Sequence, residues 1–86
     1  MQFLPGAVEY ARAGAVPGGL QNNREFASGV VETERQLPPE IEALLYDPQT
    51  SGGLLISLAE SDAATFTGGY PIGRVLPRAQ KAIRLI

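Results

Sequence analysis

Leu4, Ala7, Val8 and Ala11 recur at steps of three and four residues, the spacing of one helix face. Pro5 suits the first turn of such a helix and Gly14 the left-handed position that ends one. The pattern predicts a short helix over 5–13, entered from a strand ending near Phe3 and Leu4. Periodicity then stops. AGAVPGGLQNN holds Gly14, Pro17, Gly18, Gly19, Asn22 and Asn23, a density of backbone punctuators that predicts an ordered loop of unusual shape. Asn22 or Asn23 can cap a helical turn through Arg24, Glu25 and Phe26, before a brief strand at Gly29–Val31.

The second half is better marked. Pro38 and Pro39 precede Glu40, with Ile41, Leu44 and Leu45 on one face, which predicts a helix over 39–46. Asp47-Pro48 ends it, because a residue before proline is driven out of helical dihedrals. GLLISL at 53–58 is an apolar run of strand length. Ser61 or Asp62 can cap a helix carrying Ala63, Ala64 and Phe66 and closed by Gly68 and Gly69. Residues 72–76 and 81–86 read as an antiparallel hairpin across the Pro77–Gln80 turn. The fold class is therefore α+β, with helices packed on a mixed, partly antiparallel sheet.

At 86 residues the chain is one unit, and 44% hydrophobic with 19% charged residues is a globular composition. Seven basic against nine acidic residues give a net charge of −2, which offers no field for a nucleic-acid backbone or an anionic membrane. Arg74, Arg78, Lys81 and Arg84 concentrate positive charge late in the chain, alternating with apolar residues as a solvated strand face does. Cysteine and histidine are both absent, so disulfides, thiolate nucleophiles and the commonest metal ligand and neutral-pH proton carrier are missing from these residues. No apolar run approaches the roughly 20 residues that span a bilayer, and the first residues lack the basic start and long apolar core of a secretory signal. Cytoplasmic residence is the expectation, with neither nucleic acid nor membrane as a partner.

Chemistry concentrates in "DPQTSGGLL", Asp47 to Leu55. Backbone N–H groups of a glycine-containing turn can cradle an anion, and the Thr50 and Ser51 hydroxyls add donors. It is no Walker A loop, since it follows a helix, opens a strand and has no lysine, and its glycines lack dinucleotide-fingerprint spacing. The alternative is structural: Gly52 and Gly53 admit a close backbone while Thr50 and Ser51 bond to the turn. The Pro17–Asn23 segment divides the same way, between cavity lining and turn scaffold. Asp47 alone cannot hold Mg²⁺ without further ligands and suits a turn. Glu32, Glu34, Glu40 and Glu42 read as exposed positions, and Tyr10, Tyr46 and Tyr70 as half-buried packing residues.

"DPQTSGGLL", with "LPGAVEYA", "VPGG" followed by "NN", and "IGRV" near the end, resembles the C-terminal domain of selenophosphate synthetase (selenide, water dikinase) across nearly the whole chain. This family is related to aminoimidazole ribonucleotide synthetase, and part of that enzyme's C-terminal domain is the fold the resemblance implies. It also implies an ATP- and Mg²⁺-dependent enzyme making selenophosphate, AMP and phosphate from selenide and water. Members are homodimers whose N-terminal domains carry the catalytic cysteine or selenocysteine, a lysine and most of the metal-binding aspartates, none of which is present here. Residues 1–86 are then expected to be a single partial domain, the last part of the C-terminal domain. Such a piece is non-catalytic by itself, does not hold ATP or Mg²⁺ tightly, and pairs with the missing N-terminal domain or self-associates. A stand-alone interaction module of the same fold is the alternative. On the resemblance, Gly18, Gly19, Asn23, Thr50, Ser51, Gly52 and Gly53 line or support the cleft that faces nucleotide. Two departures stand out: Leu20 replaces the family's threonine after the glycine pair, and the stretch between Phe66 and Ile72 is short.

Overall fold

The computed structural model describes residues 1–86. The first helix, Ala7–Arg12 (α1), lies within the expected span and begins at Gly6, whose φ of +83° only glycine adopts readily. It ends in a Schellman motif: Ala15 N–H donates to the Tyr10 carbonyl at 2.9 Å and Gly14 N–H to Ala11 at 3.0 Å, with Gly14 at φ +82°. The pattern expected here is what forms.

The second half of the loop expected at 13–23 is replaced by a helix, Gly19–Ala27 (α2), which takes in the helical turn expected at Arg24–Phe26. Gly18 and Gly19 only begin it, and the following Leu, Gln, Arg, Glu and Ala residues are good helix formers. Gln21 Nε2 bonds Glu25 Oε1 at 3.0 Å one turn on. Asn22 and Asn23 therefore lie inside the helix and do not cap it. Pro39–Leu45 (α3) follows with Pro39 in its first turn and Glu40 and Glu42 favourably placed against the helix dipole. Glu60–Thr65 (α4) starts one residue before the expected cap: Asp62 and Ala63 N–H both bond the Ala59 carbonyl, which puts Ser61 and Asp62 within the helix.

The sheet departs most from expectation. Val31–Thr33 (β1) pairs with Ile83–Leu85 (β2), in parallel, with Val31 opposite Ile83 and Glu32 opposite Arg84. This two-stranded sheet is neither mixed nor partly antiparallel, and there is no hairpin of 72–76 with 81–86. Side chains join the two strands: Arg84 finds Glu32 on β1 and Glu34 just beyond it, and the Lys81 ammonium, ahead of β2, donates to the Gly29 carbonyl at 2.7 Å. Nor do 53–58 or the residues before α1 form a strand, since a ladder needs a partner and these segments have none in the 86 residues.

Packing is sparse. Helix α1 lies on α3 and β1 on β2, but Leu20 is the one buried residue. The accessible surface of 7442 Å² compares with about 4,900 Å² for a compact monomer of this mass. The radius of gyration is 14.5 Å, against about 12 Å for a compact chain of this length. Leu54 and Leu55 are 90% and 82% exposed, Ile56 and Leu58 are exposed beside them in sequence, and Val75 and Leu76 are exposed further along the chain. Apolar surface on this scale is more than a compact monomer leaves in water.

Candidate functional site

The structure brings the two glycine-rich segments together. Gly19, the first residue of α2, faces Pro48 so closely that a Cβ there would lie 3.4 Å from the proline Cγ. One turn later the Asn23 amide Nδ2 donates to the Tyr46 carbonyl at 3.0 Å. The Arg24 guanidinium stands 5.7 Å from the Tyr46 ring centroid, with Nη2 3.9 Å from Glu42. The first two turns of α2 thus abut Tyr46–Pro48, where the Asp47–Gly53 segment leaves α3.

Within that segment the Gln49 N–H bonds the Asp47 carbonyl at 2.9 Å and makes a tight turn. Thr50, Ser51, Gly52 and Gly53 are all exposed, and neither hydroxyl makes a hydrogen bond within the chain. A Cβ on Gly52 would fall 2.7 Å from the Gln49 side-chain oxygen, while Gly53 has open space around it. Gly18 is exposed at the start of α2 with no side-chain cap on the helix.

Behind this region a groove of about 610 Å³ runs between α1, α2 and α3, lined by Arg12, Gly18, Leu20, Gln21, Arg24 and Glu40 among others. Arg12 closes one side by donating from Nε and Nη2 to a single Glu40 oxygen, at 3.1 and 2.8 Å. That hydrogen bond raises the Arg12 pKa and holds the Glu40 carboxyl below its ordinary range, helped by Glu40's own backbone N–H. Arg24 Nε is buried without a partner. The sequence did not single out Arg12, marked Arg24 only as part of a helical turn, and read Glu40 as merely exposed. Arg24 falls four residues after Leu20, so a helical reading of 19–27 places it on the inward side.

The donor set does not fit a divalent metal. No three Asp or Glu side chains converge in the chain, and Asp47 is the one carboxylate of the 47–53 segment. Amides and hydroxyls, suited to hydrogen-bonding an anion, are what this segment offers.

The chain is 36% identical over 89 residues to a selenide, water dikinase of Clostridium botulinum and 37% identical over 90 residues to that of Aliarcobacter butzleri, each match covering 94% of the chain. A selenide, water dikinase of Pelobacter propionicus is 46% identical over 69% of the chain. These relatives are kinase-type enzymes by name. The chain belongs to the selenide, water dikinase (selenophosphate synthetase) family, over the C-terminal part of its members. It spans about a quarter of the length of the curated relatives it matches, 26% in the first of them. No family model matches the chain, and no solved structure matches it.

Proposed function

We propose that the chain is a non-catalytic part of an enzyme that makes selenophosphate, AMP and phosphate from selenide, ATP and water. It would work in the cytoplasm within a homodimer. The carrying observation is that selenide, water dikinases match 94–98% of the chain while making up about four times its length. In such an enzyme Mg²⁺ and ATP would supply the phosphoryl chemistry, and both would be held mainly by residues outside these 86. The contribution of this chain is a wall: Thr50 and Ser51 offer hydroxyl donors, and Gly52 and Gly53 keep the backbone accessible to an anion. Gly18, Gly19 and Asn23 support that wall from α2. Leu54, Leu55 and their apolar neighbours dock on the remaining polypeptide of the same enzyme, the partner that this reading requires.

The test is the paired substitution Thr50→Ala with Ser51→Ala in the full-length enzyme. Loss of two hydroxyl donors to a phosphate should raise the KM for ATP about ten-fold or more. Unchanged kinetics would show that the segment faces away from nucleotide.

A further inference from the structure

The C-terminus of α3 is capped from another helix. The last carbonyls of a helix have no partner within it, and α3 has neither a basic residue in its last turn nor a glycine to curl the chain back over it. Pro48 also removes a backbone donor that could have folded back. Tyr46 and Asp47 N–H close onto the Ala43 and Leu44 carbonyls at 3.0 and 3.4 Å, and Asn23 supplies a partner further on, placing its amide 3.0 Å from the Tyr46 carbonyl. Arg24 adds a cation beside the same helix end, over the Tyr46 ring, where the dipole favours positive charge. Gly19 completes the contact by letting the α2 backbone reach the Pro48 ring.

We propose that Asn23 and Arg24 are positioning residues that fix the departure of the 47–53 loop from α3, through the Tyr46 carbonyl and ring, and that neither binds nucleotide. Asn23 is thereby assigned to the loop's support. The inference deepens the proposed function and rests on it only in linking loop position to ATP.

The experiment uses the full-length enzyme and two readouts: amide hydrogen exchange at Tyr46, Asp47 and Gln49, whose N–H groups are bonded where the loop leaves α3, and steady-state kinetics in ATP. Asn23→Asp keeps the size of the side chain but replaces its donor with an ionised acceptor facing a carbonyl. Exchange at these three amides should rise about five-fold, the value of one ordinary hydrogen bond, and the KM for ATP should rise with kcat less affected. Arg24→Met should show the same pattern more weakly and serves if Asn23→Asp does not fold. Exchange that matches the wild type in both variants overturns the clamp. Faster exchange with ATP kinetics unmoved, in these variants and in the Thr50/Ser51 pair alike, leaves the clamp standing and removes the proposed role of the loop.

Discussion

Arg84 on β2 sits directly opposite Glu32 on β1 and donates to it from Nε at 2.8 Å, joining strands 52 residues apart in sequence. Glu34 lies 3.5 Å from the same guanidinium, and both carboxylates raise the Arg84 pKa, the Glu32 hydrogen bond first. A three-residue parallel pair has little else to set its register. Reversing either charge alone, by Arg84→Glu or Glu32→Arg, should speed amide exchange at Glu34 and Ile83, which close the ladder onto Leu85 and Val30, by about two- to five-fold at low salt. The double reversal should restore protection. A double variant as unprotected as the singles would remove the ion pair from the account.

The Arg12–Glu40 pair links α1 to α3 and should make their packing depend on acid. Glu40 has its pKa depressed in the folded chain, so its stabilisation is present above its ordinary value of 4.5 and is lost as pH falls through the lower folded value. Glu40→Gln should therefore lower the denaturation midpoint of the full-length enzyme at pH 7, by no more than a few degrees for a pair whose Arg12 side is open to solvent. The difference from wild type should disappear in strong acid. A difference independent of pH from 7 to 2 would show that the pair contributes nothing through charge.

Gly6 and Gly14 bracket α1 with the same left-handed backbone but different surroundings. A Cβ at Gly6 would meet the Tyr10 ring at 3.2 Å, whereas Gly14 has no atom within 4 Å. Gly14→Ala should cost about 1 kcal/mol through backbone strain alone. Gly6→Ala should cost more, and combining it with Tyr10→Ala should recover the clash but not the strain. Denaturation midpoints of these three variants, with Tyr10→Ala alone as the reference for the double change, check this; equal costs at both glycines would contradict it.

The exposed apolar run predicts the behaviour of the 86-residue chain when it is made alone. It should self-associate in sedimentation at low concentration and bind a hydrophobic dye, through surface about 2,500 Å² beyond that of a compact monomer. Leu54→Lys with Leu55→Glu should reduce both. A compact, dye-free monomer would contradict the partner surface.

What could be read in the sequence was local. Gly14 ends α1, Pro39 opens α3 and Asp47-Pro48 closes it, each through the dihedrals of its own residues. Non-local choices were illegible. Gly18, Gly19, Asn22 and Asn23 suggest a loop, yet Leu20 finds the only buried position and draws 19–27 into a helix. Strand propensity at 72–76 and 53–58 goes unused because a strand is defined by its partner, and for β2 that partner is chosen by Glu32 and Glu34 far upstream. The candidate site divides likewise. Thr50–Gly53 stand out by composition, while the Asn23 and Arg24 contacts to Tyr46 exist only once two helices meet.

The central claim is that these residues wall a reaction cleft whose bond-making groups lie on other polypeptide. Phosphorus NMR with ATP, Mg²⁺ and selenide tests it on three samples: the purified 86-residue chain, the remaining three quarters of the enzyme made separately, and the two mixed. Selenophosphate and AMP are expected from the mixture and not from the chain alone. Selenophosphate formed by the 86 residues unaided would contradict the account.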